Sequence, residues 1–394
     1  MTLTQPIHII GAGIGGLTLA RCFKNRGIQA IIFEKNPSPA HHNYSISLQS
    51  WATQLLVKVL GIDEATFSRR VAVDGLRGGQ VYPSHVSSLR NREGVPKPLR
   101  AHRGRLEGLL REELDVKWDH VLEGIEANGS GQTLTFKDKG QVDCGIVVDT
   151  SGVHSPIRRS LLPDVQLNVL PYVVFRGTRR VGGTSFREIY ESFFKDGNVL
   201  ETKHGETLLR IYINDYVQDS EAVDISYIYS RPSPSGSDDP LHRPDRAPNQ
   251  ATEISEAFFA EVSKLQNLEQ PFKDAFDQEN VRKGRTLHWL MRDVLVPREE
   301  LLRLADAGRG VILIGDAAHA LPVLGGEVAC FAARDAVELA GFVEEGMKAG
   351  MKAGRNLVLD AEGFYEKMFG EWEDGAMIGD QRLREMHSET TSSL

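Results

Sequence analysis

The order of apolar and polar positions at the start of the chain predicts a strand, a helix and a second strand. Ile7–Ile10 is a short, continuous apolar run, which is typical of a buried strand. Glycines follow it at once, and residues 17–26 then carry the mixed spacing of a helix. A second apolar run, Ala30–Phe33, ends at the acidic Glu34. This succession predicts a β-α-β unit of a parallel sheet.

The middle of the chain has a different pattern, dominated by runs rich in Tyr, Ile and Val. Such runs predict strands, and they occupy residues 172–176, 199–203, 207–214 and 222–230. Their close succession predicts a mostly antiparallel sheet. Helical spacing follows near residues 253–265 and 270–278.

The last part of the chain returns to strand and helix patterns. Residues 310–314 predict a buried strand, and helical spacing covers about 327–345 and 359–388. The near-repeat at 346–354 is too short for a structural repeat, so we interpret it as the connection between these two helices. The predicted fold class is α/β: a Rossmann-like nucleotide-binding domain interrupted by a mostly antiparallel sheet domain and followed by C-terminal helices. Its predicted bounds are 1–170 and 291–345 for the nucleotide-binding domain, 171–290 for the inserted sheet and 346–394 for the helical segment and tail.

The glycines after the first strand have the spacing of a dinucleotide-binding turn. Gly11 permits a tight turn, Gly13 lets the backbone approach a pyrophosphate, and Gly16 lets the helix pack closely on the strand. Glu34 can accept hydrogen bonds from a ribose diol. The alternative is a glycine-rich turn that binds nothing, and we favour binding because strand, helix, strand and terminal acid are all present. Taken alone, this motif does not separate NAD from FAD.

A second glycine-rich signature, about three hundred residues later, indicates FAD. The string Gly315-Asp316-Ala317-Ala318-His319 closes the predicted strand at 310–314, and Gly325-Gly326-Glu327 comes just after it. Two such signatures are consistent with one large dinucleotide that contacts residues near both ends of the sequence. The alternative for the second signature is a plain strand-to-helix turn. We favour FAD binding because the first glycine signature is also present.

Composition and charge exclude several classes of protein. The chain has 394 residues, a formal net charge of −8 and an ordinary globular composition, so we expect no nucleic-acid or anionic-membrane partner. The three cysteines are far apart and fit neither a disulfide framework nor a metal site. We find no signal peptide, no apolar run long enough to span a membrane and no metal-ligand spacing. These observations favour a cytoplasmic protein without a metal.

Together with a central segment, the two signatures resemble those of the single-component (group A) FAD-dependent aromatic hydroxylases, which share the para-hydroxybenzoate hydroxylase fold. The resemblance covers about residues 5–345. In the central motif of this family, Gly152, Ser155 and Arg158 match. The sheet region is similar to that of the fungal secondary-metabolite branch. The resemblance implies FAD contacts from Gly11, Gly13, Ile14, Gly16, Glu34, Lys35, Arg103, Asp316, Ala317, Gly326, Glu327 and Val328.

The chain departs from the family pattern at specific positions. Ser151 stands where the central motif has Asp, and Asp149 lies two residues earlier. In the late motif, Val323 takes a Pro position, Val328 replaces the second Gly and Cys330 replaces an Asn. In the family, the backbone N–H groups of this late segment face the flavin. A side chain at Val328 is therefore expected to crowd the flavin ring or to force the loop outward.

The resemblance implies a reaction in which NADH or NADPH reduces FAD and O₂ adds to the flavin C4a. The resulting hydroperoxide hydroxylates or epoxidises an aromatic or polyketide-like small molecule. The inserted sheet is expected to roof the substrate pocket, with candidate catalytic residues Arg176, Tyr212 and His288 and further candidate lining residues Tyr190, Tyr227 and Trp289. Arg176 lies in an apolar strand, where a charge needs a partner, so it is the best candidate to hold a phenolate or carboxylate.

Two other functions remain open on the sequence. An altered flavin site would suit a dehydrogenase, or a relative whose pocket guides a cyclisation or isomerisation without redox chemistry. A binding protein on a degraded flavoprotein scaffold is the third possibility. The substrate, the site of oxygenation, the choice between NADH and NADPH, and the choice between monomer and homodimer are also open.

Overall fold

The computed structural model describes residues 5–40, 42–75, 98–129, 131–217, 220–234, 239–305, 310–325, 327–353 and 361–388. Its strands are β1 Ile7–Ile10, β2 Ala30–Phe33, β3 Ser45–Leu48, β4 Leu99–His102, β5 Val116–Lys117, β6 Leu122–Asn128, β7 Gly131–Phe136, β8 Gly140–Cys144, β9 Val147–Asp149, β10 Asn168–Gly182, β11 Val199–His204, β12 Thr207–Asp215, β13 Ala222–Pro232, β14 Arg285–Leu295, β15 Val311–Leu313 and β16 His319–Ala320. Its helices are α1 Ile14–Asn25, α2 Ser50–Leu60, α3 Glu64–Val71, α4 Arg103–Arg111, α5 Pro156–Leu161, α6 Gly183–Ile189, α7 Glu256–Val262, α8 Phe272–Ala275, α9 Gln278–Lys283, α10 Arg298–Ala305, α11 Val328–Ala353 and α12 Ala361–His387.

A five-stranded parallel sheet forms the first layer, in the order β15-β9-β1-β2-β5. All four residues of β1 are buried, as expected for a strand that is covered on both faces. Strands β9 and β15 come from opposite sides of the inserted sheet in the sequence, yet they pair directly. The nucleotide-binding fold is therefore discontinuous, as the sequence predicts.

The second layer is a six-stranded sheet in the order β11-β12-β13-β10-β14-β16, in which every pairing is antiparallel. One face carries Val173 and Phe175 and packs against α6, α7, α8 and α9. The other face carries Val174 and packs against Leu383 of α12. This inserted, mostly antiparallel sheet confirms the predicted fold class. Strand β14 continues past the boundary predicted at residue 290, and the predicted domain bounds stay a prediction.

Two predicted helices differ from the observed ones. The near-repeat at 346–353 continues α11 instead of connecting the two long helices, because its Ala, Met and Lys residues favour a helix enough to tolerate isolated glycines. The helix predicted at 270–278 is divided, because the Asp277 side chain accepts hydrogen bonds from Glu279 N and Asn280 N and starts α9. Among the helices that the structure describes, none is long and apolar enough to cross a membrane.

Candidate active site

The first glycine turn lies at the carboxyl end of β1, and its three motif glycines have different surroundings. Gly11 has a φ of +106°, and a Cβ there would lie 2.8 Å from the Thr150 carbonyl oxygen. A Cβ on Gly16 would lie only 2.0 Å from the Gly11 carbonyl oxygen. Gly13 has no described atom within 4 Å of its Cβ position, and it lines the large cavity of the molecule. Two glycines are therefore required by the protein's own packing, whereas Gly13 leaves space for a ligand.

Glu34 supports the turn from the end of β2. Its carboxylate is buried and accepts hydrogen bonds from Ala12 N at 2.8 Å and from Asn36 N at 3.0 Å. Lys35 is exposed. Ile14, the first residue of α1, lines the cavity, whereas Glu34 and Lys35 are not among its lining residues. The carboxylate keeps further lone pairs that can accept hydroxyl donors.

The central loop is organised around Asp149 at the end of β9. Its buried carboxylate accepts hydrogen bonds from Ser151 N at 2.9 Å, from Ser151 Oγ at 2.5 Å and from Ser155 Oγ. Burial raises the pKa of Asp149. The acidic group of this loop thus points inward and shapes the turn, and Ser151 serves as one of its donors.

Arg158 joins the central loop to the late Gly-Asp turn. Its guanidinium is almost fully buried and donates to the carbonyl oxygens of Asp316 at 3.1 Å, Ala317 at 2.8 Å and Val153. Burial lowers the pKa of Arg158. A cation that is bonded to three carbonyl oxygens holds two loops from distant parts of the sequence in one position.

Asp335, in α11, is a site residue that the sequence analysis missed. It is fully buried and accepts hydrogen bonds from Gly315 N at 2.8 Å, His319 Nε2 at 2.6 Å and Trp372 Nε1 at 2.9 Å. The His319 ring also stacks on Trp372, with ring centroids 4.2 Å apart. The sequence gives this role no distinct signal, because Asp335 stands beside Arg334 and three residues before Glu338 in a helical pattern.

Asp316 and Arg103 face the cavity beside the glycine turn. Burial raises the pKa of Asp316 to about 6, and His319 and Arg103 oppose this shift. Arg103 donates to Glu107 Oε1 at 2.8 Å and to the Tyr44 hydroxyl. A carboxylate and a guanidinium in this position offer complementary partners to hydroxyl and phosphate groups.

The late loop that follows β16 contributes a further wall of the cavity. Glu327 and Val328 line it, and Glu327 Oε1 accepts a hydrogen bond from Arg382 Nη1 of α12 at 2.7 Å. Gly326 lies outside the described residues. Cys330 is buried and does not line the cavity; its Sγ lies 3.4 Å from Gln49 N. Of the three departures in the late motif, Val323 and Val328 therefore line the cavity, and Cys330 does not.

The cavity has a volume of about 1190 Å³ and runs between the two sheets. At one end lie Gly13 and Asp316, and at the other lie Arg176, Tyr212 and Trp289. A volume of this size exceeds that of a usual small-molecule pocket, about 300–1,000 Å³, and suits a cofactor and a substrate together.

Three of the predicted pocket residues lie on the opposite face of the large sheet, which corrects their placement. His288 is fully buried, stacks on Phe175 and accepts a hydrogen bond from Arg246 Nε through Nδ1 at 3.2 Å. Burial and the neighbouring arginines lower the pKa of His288 to about 3. Tyr190 and Tyr227 pack in the helix-covered core, with hydroxyl partners Asp274 and Thr286. His288 lies on the face away from the cavity because side chains alternate along β14, and its neighbour Trp289 lines the cavity instead.

Comparison with known proteins agrees with this site. The model of the FAD binding domain family matches residues 4–167. The FAD-dependent monooxygenase nscC of Aspergillus fumigatus is 30% identical over a 404-residue alignment, which covers 98% of this chain and 96% of that protein. The FAD-dependent monooxygenase aptC of Emericella nidulans is 29% identical over a 417-residue alignment, which covers 98% of this chain and 96% of that protein.

Solved structures share the same fold. HpxO of Klebsiella pneumoniae, complexed with FAD and uric acid, superposes with a TM-score of 0.69 at 18% identity, covering 98% of this chain and 90% of that one. The 2,6-dihydroxypyridine-3-hydroxylase of Arthrobacter nicotinovorans superposes with a TM-score of 0.68 at 19% identity, covering 100% and 96%.

The interrupted nucleotide-binding fold and its paired glycine signatures define an FAD-binding flavoprotein. Because a curated relative is 30% identical along almost its whole length, the chain belongs to the FAD-dependent monooxygenases.

Proposed function

We propose that this protein is a monooxygenase that uses NAD(P)H and O₂ to hydroxylate or epoxidise an aromatic or polyketide-like small molecule in secondary metabolism. The observation that carries the proposal is the single cavity that extends from the glycine turn to the aromatic face of the large sheet. Such a cavity brings a dinucleotide cofactor and an organic substrate into contact away from bulk water. In the balanced reaction, one oxygen atom enters the substrate and the other leaves as water, while NAD(P)H is oxidised.

The residues at the glycine-turn end fit FAD. The open space at Gly13 suits the pyrophosphate, Arg103 suits a phosphate or hydroxyl oxygen, and Asp316 suits hydroxyl groups of the cofactor chain. When bound, FAD would supply the electron transfer and the activation of oxygen. Glu34 and Arg158 act indirectly, because they hold the turns that carry these groups.

The residues at the sheet end fit an organic substrate. Tyr212 and Trp289 present aromatic surface to the cavity, and Arg176 is a buried cation among them. We propose that Arg176 and Tyr212 contact and orient the substrate. Met386 and Arg382 of α12 line the same cavity, so the C-terminal helix helps to exclude water.

The first test is the visible spectrum of the purified protein before and after anaerobic NADPH, alone and with 1-hydroxy-2-naphthoate as an aromatic probe. We expect flavin bands that bleach, faster when the aromatic is present, and oxygen uptake with a hydroxylated product under air. A protein without bound flavin, even after addition of FAD, would contradict the proposal. Bound flavin that NADPH does not reduce with any hydroxyaromatic would favour the dehydrogenase or non-redox alternative.

Two variants provide a matched control for the altered late motif. Val328→Gly removes a side chain that lines the cavity, whereas Cys330→Asn changes a buried side chain behind its wall. If the departures silence the flavin, reduction by NADPH should be gained in Val328→Gly and not in Cys330→Asn. Reduction in the parent protein at a rate equal to that of Val328→Gly would show that Val328 is compatible with the reaction.

The affinity for FAD is expected to fall as the pH drops through about 6. Burial raises the pKa of Asp316 to about 6 from its ordinary value of 3.8, so the carboxylate that accepts cofactor hydroxyls becomes protonated there. The same shift means that the apoprotein binds the proton more tightly than the unfolded chain, so its stability decreases as the pH rises from about 3.8 to about 6. Fluorescence titration with FAD between pH 5 and 8 measures the effect.

The control for this pH dependence is Asp316→Asn, which cannot titrate. Its FAD affinity should be weaker than that of the parent at pH 8 and nearly independent of pH between 5 and 8. A flat profile in the parent protein would show that Asp316 does not bind the cofactor through its carboxylate.

A further inference from the structure

Two buried guanidinium groups face the sheet end of the cavity from different elements. Arg100 of β4 is 7% exposed and Arg176 of β10 is 8% exposed. Arg100 donates to Ser45 Oγ and Ser47 Oγ, both at 2.9 Å, and Arg176 donates to Ser226 Oγ at 3.0 Å. All of these acceptors are neutral hydroxyls, so neither positive charge is balanced by its hydrogen bonds.

Of the cavity arginines that form no ion pair in the described part of the chain, Arg100 and Arg176 are buried, whereas Arg246 and Arg292 are partly exposed. Arg210, which lines the same cavity, pairs with the buried Glu201, and Arg382 pairs with Glu327. Burial lowers the pKa of Arg100 to about 10 and also lowers that of Arg176; the nearby charge of Arg176 adds to the effect on Arg100. A group with a pKa of about 10 is still charged at neutral pH. Buried charges of one sign are costly unless an anion lies beside them.

Aromatic rings hold both guanidinium groups in place. The Arg100 guanidinium carbon lies 4.2 Å from the centroid of the Tyr212 ring. That of Arg176 lies 4.6 Å from the Tyr44 ring and 5.2 Å from the Trp289 ring. Stacking of this kind orients the planar donors and leaves flat apolar walls around them. The arrangement suits a ligand that combines an aromatic plane with a negative charge.

We propose that Arg100 and Arg176 together bind a planar anion with two oxygens, the carboxylate or the ionised 1,3-dicarbonyl group of the aromatic substrate. The inference rests on the proposed function, because it specifies the substrate class of the same cavity. Arginine matches such an anion by its forked donors, and desolvation strengthens the interaction. The anion fixes which edge of the substrate ring points away from the arginines and toward the glycine-turn end.

The surroundings favour the approach of an anion. Beyond Tyr44 and Arg176 lies a second cavity of about 450 Å³, lined by the exposed Arg180 and Arg285 together with a single described carboxylate, Asp224. A mostly positive lining raises the local concentration of anionic ligands. Arg176 therefore also borders a second space whose charged lining is mostly cationic.

The test compares a matched pair of ligands on the FAD-loaded protein without turnover. The probes are 1-hydroxy-2-naphthoate and its carboxamide, which differ in charge and hardly in shape, and binding is followed by the change in flavin absorbance. We expect the acid to bind about tenfold more tightly than the amide, or better. Arg100→Gln and Arg176→Gln should each weaken binding of the acid about tenfold to hundredfold and change amide binding little. Equal affinities for acid and amide in the parent protein would overturn the proposal.

Further variants separate a specific site from general charge effects and from misfolding. Arg187→Gln removes the same charge from an exposed position outside both cavities and should change acid binding by less than about twofold. Arg176→Lys keeps the charge but loses the fork, so its affinity for the acid should lie between those of the parent and Arg176→Gln. Flavin content and thermal midpoint are measured for each variant. If Arg100→Gln does not fold, the affinities of the parent protein and of the Arg176 variants for the acid and the amide still test the proposal.

The outcomes also separate this inference from the proposed function. Preference for the acid without NAD(P)H-driven hydroxylation would support the anion-binding site and contradict the proposed monooxygenase function. Hydroxylation with no preference for the acid would support the monooxygenase function and contradict the anion-binding site. Variants that lose FAD instead of affinity for the acid would assign the arginines to the cofactor and overturn the inference.

Discussion

Gly16→Ala should destabilise the protein and abolish FAD binding, whereas Gly13→Ala should weaken FAD binding without a loss of stability. A Cβ at Gly16 would lie 2.0 Å from the Gly11 carbonyl oxygen and 2.5 Å from Thr150 Oγ1, so backbone must move. Overpacking of this kind costs about 3 kcal/mol of stability. A Cβ at Gly13 meets no described atom within 4 Å and enters the cavity, where it competes with the cofactor. We expect FAD affinity to fall about tenfold to hundredfold in Gly13→Ala.

The measurements are the urea unfolding of both apoproteins and the titration of each with FAD. The matched control is Gly27→Ala, which changes a glycine at a φ of +67° after α1 and away from the cavity; it should lose some stability and keep its FAD affinity. Normal FAD affinity in Gly13→Ala would show that the pyrophosphate does not approach this turn. Unchanged stability in Gly16→Ala would show that the backbone near Gly11 and Thr150 moves to accommodate the Cβ without loss of stability.

Asp335→Ala is expected to be the most damaging change in the late signature. It leaves three buried donors without their acceptor: Gly315 N, His319 Nε2 and Trp372 Nε1. An unsatisfied buried donor costs about 1–3 kcal/mol, so we expect a loss of about 3 kcal/mol or more. Because Gly315 and His319 flank Asp316, the turn should also lose its shape and FAD affinity should fall. Urea unfolding and FAD titration measure the two effects.

A graded series tests whether the acceptor itself is responsible. Trp372→Phe removes one of the three donors and should cost less than Asp335→Ala while FAD binding persists. Asp335→Asn retains one acceptor oxygen and should lie between the parent and Asp335→Ala. Stability within about 0.5 kcal/mol of the parent in Asp335→Ala would contradict the role that we assign to this carboxylate.

The helix α12 connects this network to the rest of the site. Trp372 reaches Asp335, Arg382 pairs with Glu327, and Met386 lines the cavity. A Cβ on Gly325 would lie 2.3 Å from the Gly379 carbonyl oxygen, so the late loop packs directly on this helix. The C-terminal helix therefore helps to line the cavity, although the matched FAD-binding family model ends at residue 167.

The features that the sequence determined by itself are local ones. The strand Ile7–Ile10, the glycines at 11, 13 and 16, Glu34 and the Gly-Asp turn lie within a few residues of the elements that carry them, so their spacing encodes their geometry. The discontinuous nucleotide-binding domain also followed from the order of strand patterns. These short-range signals were sufficient for the fold class and for FAD.

The tertiary structure alone decided which distant side chains meet. The large sheet is covered on both faces, so its strands are apolar on both sides and alternation does not tell His288 from Trp289. Arg100 and Arg176 lie 76 positions apart and share a cavity only because β4 and the large sheet face each other. Asp335 meets Trp372 only because α11 and α12 pack together. Packing between distant elements determines these contacts, and the residue pattern within a single helix or strand does not predict them.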